Sequence, residues 1–252
     1  MLRVDRLSVR YGTHAAVDSV SFEVLPGQWW VIAGPNGAGK TSLVNAVSGG
    51  ASCSGSVLLD GVPARDYAPG AFARRVGVLS QVHPAVYGFT VGEVVEMGRY
   101  AHRRGFLRGR DPEGGGKVAQ ALALTGLTGL KDRSMLSVSG GEAQRAFLAQ
   151  VLAQDPKLLI LDEPANHLDL PFQQELFSLV SEWLKTPGRA VITVLHDLSL
   201  ARLYGTRALL LKEGRPVAQG PAGQVLTRED LRQVYGMDVF AWMQDMLAGW
   251  QE

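Results

Sequence analysis

Residues 34–41 read GPNGAGKT, and this stretch decides the kind of fold that the chain adopts. The apolar run WWVIA at 29–33 precedes it, and the helix-like run SLVNAV at 42–47 follows it. A glycine, four further residues and then Gly-Lys-Thr form the pattern of a phosphate-binding P-loop. An ordinary glycine turn is the alternative, but the order of strand, loop and helix favours phosphate binding. Alone, the loop predicts a bound nucleoside triphosphate and no particular reaction.

The residue types of this loop suit a phosphate for physical reasons. Glycines can take a positive φ, so successive amides turn inward and form an anion-binding nest. The helix that follows presents its positive dipole end to the same point. Lys40 adds a charge for the β- and γ-phosphates, and the Thr41 hydroxyl can coordinate Mg²⁺. The predicted nucleotide contacts of the loop are Gly34, Pro35, Asn36, Gly37, Ala38, Gly39, Lys40, Thr41 and Ser42.

Composition sets broad limits on the class of protein. The 252 residues, of which 46% are hydrophobic, suit one large domain or one domain with a subdomain. A formal net charge of +1 gives no general attraction to nucleic acid or to an anionic membrane. Cys53 is the sole cysteine, which excludes an intrachain disulfide and fits a reducing cytosol. The N-terminus lacks the apolar core of a signal peptide, and no apolar stretch approaches the ~20 residues of a membrane span.

The order of the predicted elements indicates an α/β fold. Residues 1–32 give three strand signals, and helical patterns dominate from about 85 to 155. Strand and helix then alternate again, and the runs LLIL and AVITVL are apolar throughout, as buried parallel strands are. We therefore predict a P-loop NTPase core with a mixed or parallel sheet, an N-terminal antiparallel β subdomain and an inserted α-helical subdomain.

Two acidic residues follow the apolar strand signal of LLIL. Asp162, at the tip of a buried strand beside a P-loop, has the usual position for organising Mg²⁺. Glu163 comes next, and strand alternation predicts that its side chain points the other way, where it can act as general base for an attacking water. A plain acidic turn at the strand end is the alternative.

The segment SVSGGE at 137–142 precedes a second helical run, AQRAFLAQVLAQ. Ser139 is a good N-cap residue, and the two glycines allow close approach to an anion. Since Ser-Gly-Gly turns are frequent, this signal is weak by itself. Near the C-terminus, VFAWMQDMLAGWQE predicts a helix that packs on its own domain or contacts a partner, with its apolar positions at Phe240, Met243, Leu247 and Trp250.

Together these motifs resemble the nucleotide-binding subunit of an ATP-binding cassette (ABC) transporter. The resemblance is carried by GPNGAGKT, SGGEAQR, LLILDEPANHLDL and the His-Asp pair after AVITVL, in the family's order, and it extends from residue 1 to about 235. It implies an ABC ATPase domain at 1–236, with the helical subdomain inserted at about 85–155, and a C-terminal helical tail at 237–252. It also implies ATP and Mg²⁺ as cofactors, and ATP hydrolysis coupled to transport.

The resemblance implies roles for single residues at the nucleotide. Tyr11 matches the aromatic that stacks on adenine, and Gln81 matches the glutamine that touches Mg²⁺ or water where the transmembrane partner docks. His196 matches the switch histidine at the γ-phosphate. A turn aromatic, a strand-end polar group and a histidine satisfied within the fold are the respective alternatives. The implied catalytic residues are thus Glu163, His196 and Gln81, and the implied metal contacts are Thr41, Gln81 and Asp162.

Other positions match segments that meet a second copy of the chain. Ser139, Gly140 and Gly141, with Glu142, match the signature that binds the γ-phosphate of the other copy's ATP. Asp169 matches the aspartate that lines the dimer seam. The sequence departs from the family pattern at 138, where valine replaces the usual leucine and keeps an apolar contact. Because the P-loop and signature of one chain lie too far apart to close one site, the resemblance implies a head-to-tail ATP sandwich dimer.

Finer cues concern the class of transporter. The segment VGEVVEMGRYAHR resembles the insert of bacterial importers for iron–siderophore, haem and cobalamin. This implies two transmembrane permease subunits, a periplasmic substrate-binding protein as an indirect partner, and a peripheral location on the cytoplasmic face of the inner membrane. The alternatives are another transporter class, or a soluble ABC ATPase of DNA repair or iron–sulfur assembly. The basic run at 102–110 lacks interleaved stacking aromatics beyond Phe106, so a solvated loop is favoured and no nucleic acid partner is predicted.

Overall fold

A computed structural model describes residues 1–80, 88–103, 111–166 and 168–250. Within these residues the strands are β1 Leu2–Tyr11, β2 His14–Val24, β3 Trp29–Ala33, β4 Ser54–Leu59, β5 Val62–Pro63, β6 Val76–Leu79, β7 Leu158–Asp162, β8 Ala190–Val194, β9 Arg207–Lys212 and β10 Arg215–Pro221. The helices are α1 Lys40–Val47, α2 Pro69–Ala73, α3 Val91–Met97, α4 Gly114–Leu124, α5 Gly140–Ala153, α6 Leu170–Leu184, α7 Leu198–Tyr204, α8 Ala222–Val225, α9 Arg228–Tyr235 and α10 Val239–Ala248. In this part of the chain, no helix combines the length and apolar character needed to cross a bilayer.

The chain forms two compact units. The terminal unit consists of Met1–Pro63 and Ile192–Glu252, and the central unit of Ala64–Val191. In the terminal unit, one sheet has the order β2-β1-β4-β5 with antiparallel pairing. A second sheet begins there with the order β10-β9-β3-β8, in which β3 and β9 are parallel and β9 and β10 form a hairpin. Every residue of β3 is buried, which explains why its sequence is an unbroken apolar run.

The central unit contains strands and several helices. Strands β6 and β7 pair with each other in parallel. Helices α3, α4 and α5 pack on one another. A buried ion pair stabilises this packing. Arg99 is 3% exposed and binds the Asp111 carboxylate at 2.7 Å. It also donates to the Ala153 carbonyl of α5 at 2.9 Å. The Arg99 guanidinium holds the pKa of Asp111 below its usual range.

The predicted fold class is confirmed, with an α/β core, an antiparallel N-terminal sheet and helices between β6 and β7. The C-terminal helix forms as predicted, but only the N-terminal part of its apolar face packs. Val239 is buried, Phe240 lies beneath the Arg202 guanidinium at 5.4 Å, and Met243 is half-buried. Leu247 and Trp250 are 63% and 87% exposed, so the C-terminal end of the predicted apolar face is not buried on the chain's own domain. The residue limits of the domain, the insert and the tail remain predictions.

Candidate nucleotide-binding site

The P-loop connects the buried strand β3 to α1 in the terminal unit. Gly34, Gly37 and Gly39 have φ values of 152°, 77° and 92°, as the sequence pattern predicts. Two of them are also required by close contact within the fold. A Cβ atom on Gly34 would lie 2.2 Å from the Leu211 carbonyl oxygen, and one on Gly39 would lie 2.1 Å from the Ala16 carbonyl oxygen. The loop is therefore pressed between the end of β9 and the start of β2.

Lys40 lies at the first position of α1 and is only 5% exposed. Its ammonium group donates to the Gly34 carbonyl at 2.8 Å and to the Pro35 carbonyl at 3.0 Å. These bonds offset part of the cost of burying a charge. They also hold the ammonium group within the loop that is predicted to bind phosphate.

Tyr235, at the end of α9, lies close to the same loop. Its hydroxyl is buried beside the backbone of Gly34, in a contact that does not meet ordinary hydrogen-bond geometry, and burial raises the pKa of the phenol. Sequence reasoning missed this neighbour, because nothing in the segment VYGMD indicates which loop α9 reaches.

Two further predicted nucleotide residues belong to the terminal unit. Tyr11 ends β1, pairs with His14 across the β1–β2 turn and is 54% exposed. His196 is exposed in the turn between β8 and α7, where the next residue, Asp197, caps α7 by accepting from the Ser199 and Leu200 amides. Both side chains are accessible to a ligand, and their roles remain predictions.

The segment SGGE begins α5 in the central unit. The Ser139 hydroxyl accepts from the Glu142 amide at 3.2 Å, and the Glu142 carboxylate accepts from the Ser139 amide at 2.7 Å. This capping box confirms Ser139 as the N-cap. The bond from the Ser139 amide also holds the pKa of Glu142 below its usual range. Since the Glu142 carboxylate is committed to the cap, its nucleotide contact stays a prediction, whereas Ser139 and Gly140 are exposed.

The acid pair lies at the end of β7. Asp162 is the last residue of this strand and is buried. Glu163 lies just after the strand with a φ of 52°, so strand alternation does not extend to it, and the predicted direction of its side chain stays a prediction. The Asn166 side-chain amide donates to the Glu163 carboxylate, which orients it. Sequence reasoning did not identify Asn166, although the family-like segment ANHLDL contains it.

The central unit brings the start of α5 and the loop after Glu163 together. The Gln144 side chain donates to the Pro164 carbonyl at 3.2 Å. Asp169 caps α6 by accepting from the Phe172 amide at 3.2 Å, and the Phe172 ring lies against Gly141. The predicted signature and seam residues are thus neighbours in one unit.

Some predicted positions fall outside the described residues. These are Gln81 and most of the basic run, at 104–110. Among the residues that the structure describes, no group of three His, Cys, Asp or Glu side chains could hold a metal ion.

A P-loop on a buried strand and an acid pair at a strand end define a protein that binds a nucleoside triphosphate. The family model described as ABC transporter matches residues 17–166 of this chain. The chain therefore belongs to the ABC transporter family, and the resemblance seen in its motifs is confirmed. ATP-binding subunits of this family hydrolyse ATP to power transport, so the chain is an ATPase.

Relatives match nearly the whole chain. The ferric enterobactin transport ATP-binding protein FepC of Escherichia coli (strain K12) is 38% identical over 237 residues, 94% of this chain and 87% of that protein. The hemin import ATP-binding protein HmuV of Pseudomonas fluorescens (strain Pf0-1) is 42% identical over 245 residues, 95% of this chain and 94% of that protein. A solved structure of an ABC transporter assigned to the metal-chelate type, in an inward-facing conformation, has a TM-score of 0.81 at 25% identity, covering 94% of this chain and 89% of that chain.

Proposed function

We propose that this chain is the ATPase subunit of a bacterial importer for a metal chelate of the iron–siderophore, haem or cobalamin type. The observation that carries the proposal is its similarity, over nearly its whole length, to subunits named for ferric enterobactin transport and hemin import. The likeness to a structure of the metal-chelate type supports the same class of cargo.

In the proposed reaction, the phosphates of ATP lie in the loop 34–42 and the adenine stacks on Tyr11. Glu163 accepts the proton of the attacking water while Asn166 holds its carboxylate. His196 contacts the γ-phosphate from the turn after β8. Each of these residues lies in a loop or at the end of a strand in its own unit, and this position supports its proposed role.

Magnesium is the cation that this chemistry needs, and the oxygen donors of the chain suit it. The exposed Thr41 hydroxyl and the Asp162 carboxylate are hard oxygen ligands, which Mg²⁺ prefers, with Gln81 as a third contact. Because the chain supplies so few ligands, this site suits a Mg²⁺ ion that would be bound mainly by water and by phosphate oxygens. When bound, the ion neutralises charge on the phosphates.

ABC ATPases work as dimers with membrane permease components in importers. We propose that two copies of this chain meet head to tail around ATP, so that each nucleotide contacts the P-loop of one copy and Ser139, Gly140 and Gly141 of the other. The exposure of Ser139 and Gly140 at the start of α5 supports this, because the N-terminus of a helix attracts an anion and these two residues are accessible to one. Asp169 then lines the seam.

The dimer acts from the cytoplasmic face of the inner membrane as a peripheral pair. It drives two transmembrane permease subunits that dock near Gln81 and the helical insert, and a periplasmic substrate-binding protein delivers cargo to them. Nucleic acid has no role.

Deleting the gene in its host and measuring uptake of radiolabelled ferric siderophore, haem and cobalamin tests the proposal. We expect loss of uptake of one of these chelates, restored by the wild-type gene and not by Glu163→Gln, which should bind ATP without turning it over. Unchanged uptake of all three in the deletion strain would overturn the assignment of cargo class. ATPase activity of the purified chain would then still establish the enzyme, and only the cargo would be withdrawn.

A further inference from the structure

The turn between β9 and β10 lies against the P-loop within the terminal unit. Its two central residues, Glu213 and Gly214, have φ values of 50° and 78°, the pattern of a tight type I′ hairpin turn. The Gly214 amide donates to the Ala38 carbonyl of the P-loop at 3.1 Å. The Gly214 carbonyl accepts from the Asp18 amide of β2 at 2.8 Å. One turn residue therefore joins the phosphate-binding loop to a strand of the other sheet.

This junction leaves no room for a side chain. A Cβ atom on Gly214 would lie 2.8 Å from the Ala16 carbonyl oxygen, the same oxygen that excludes a side chain from Gly39. The loop, the start of β2 and the turn thus converge on one carbonyl group. Arg215 strengthens the junction, since its Nε donates to the Asp18 carboxylate at 2.9 Å.

Peptide geometry gives the Gly214 bond a consequence for the loop. The peptide between Ala38 and Gly39 is trans, so its carbonyl and its N–H point in opposite directions. Because Gly214 holds the Ala38 carbonyl, the Gly39 N–H is fixed on the side away from the turn. The neighbouring glycines, Gly37 and Gly39, have φ values of 77° and 92°, and glycine resists rotation of an adjoining peptide less than other residues do. An outside partner is therefore needed to hold this peptide.

We propose that Gly214 is a positioning residue for ATP binding, whose amide fixes the Ala38–Gly39 peptide so that the Gly39 N–H is ready for the phosphates. Gly214 does not itself contact the nucleotide. The inference uses only the phosphate-binding role of the loop, so it is independent of the cargo and of the dimer.

The substitution Gly214→Ala tests the proposal, and the chain supplies a matched control. Gly61 occupies the same place in the two-residue turn between β4 and β5, with a φ of 80° behind Asp60 at 51°. No atom lies within 4 Å of a Cβ built on Gly61. Alanine at either position therefore imposes the same backbone strain, but only at Gly214 does it push the turn away from Ala16 and the loop.

Titration with a fluorescent ATP analogue gives the main readout. We expect Gly214→Ala to raise the dissociation constant about tenfold, the size of one lost hydrogen bond, and to raise KM while kcat stays within about twofold. Gly61→Ala should bind within about twofold of wild type. Equal affinities in the two variants would overturn the proposal.

A second measurement starts with the wild-type protein, for which no variant has to fold, and then compares the two variants. Nuclear magnetic resonance should show the Gly214 amide protected from hydrogen exchange in the nucleotide-free protein, because it is hydrogen-bonded to Ala38. The Gly39 amide resonance should move in Gly214→Ala and stay in place in Gly61→Ala. An unprotected Gly214 amide in the wild-type chain would contradict the inference whatever the variants do.

Discussion

Lys40 is a buried charge that is held by two carbonyl groups of its own loop. Replacing it by alanine removes the charge that is predicted to pair with the β- and γ-phosphates. We expect Lys40→Ala to weaken ATP binding by at least about tenfold, since a hydrogen bond to a charged group contributes about 1.5–3 kcal/mol. Titration with labelled ATP measures this. Lys185→Ala, at a surface lysine paired with Glu182, is the control and should bind normally.

Asn166 contacts the carboxylate of Glu163, the proposed general base. Without the amide, the carboxylate keeps its charge but loses its fixed orientation. We expect Asn166→Ala to lower kcat about tenfold and to leave the ATP dissociation constant unchanged. Steady-state kinetics beside equilibrium binding separate the two quantities. A fall in affinity with an unchanged kcat would mean that Asn166 serves the nucleotide pocket and does not orient the base.

At the scale of elements, two helices begin with the same capping motif. Thr90 and Glu93 form a capping box on α3, as Ser139 and Glu142 do on α5. Ser139→Ala and Thr90→Ala should each cost about 1 kcal/mol of stability. Only Ser139→Ala should also reduce ATPase activity, by about tenfold or more, because only that helix start is proposed to meet ATP. Chemical unfolding and ATPase assays on both variants check this, and equal loss of activity would reduce Ser139 to a capping role.

Many of the elements could be predicted from the sequence to within a few residues, but β9, β10, α7, α8 and α9 were not among them. Strands β7 and β8 are buried along their whole length, so they read as continuous apolar runs, and Ser139 marks where α5 begins. The sequence could not show that Gly214 reaches Ala38 or that Tyr235 reaches Gly34, because local pattern says nothing about contacts between distant segments. It also missed the backbone turn at Glu163, since strand alternation assumes an extended chain. The role of Gln81 is still only predicted, because that residue lies outside the described ranges.

For the molecule as a whole, two ion-paired carboxylates in the central unit, Asp155 and Asp111, predict how stability responds to acid. Burial alone would raise the pKa of Asp155, but Lys117 and Arg189 lower it below its usual range, as Arg99 does for Asp111. A carboxyl with a lowered pKa in the folded state stabilises the fold above its unfolded pKa, about 3.9, and loses that contribution as the pH falls through the folded value.

We therefore expect the melting temperature to be insensitive to these groups above about pH 5 and to fall steeply below about pH 4. Asp111→Asn should lower the melting temperature at neutral pH, because it leaves Arg99 buried beside an uncharged partner, and should make the acid transition shallower. Scanning calorimetry across pH measures both effects. An acid transition that is equally steep in Asp111→Asn would show that other carboxyl groups determine it.

The proposed dimer contains two copies of the chain, so measuring the molar mass in solution tests it most directly. Light scattering on Glu163→Gln, which should bind ATP without hydrolysing it, compares the chain with and without ATP and Mg²⁺. We predict a change from the 27.1 kDa of one chain to about twice that mass, abolished by adding Ser139→Arg, which blocks the start of α5. A chain that stays at 27.1 kDa with saturating ATP, while the wild-type chain hydrolyses ATP as a monomer under the same conditions, would contradict a nucleotide pocket shared between two copies.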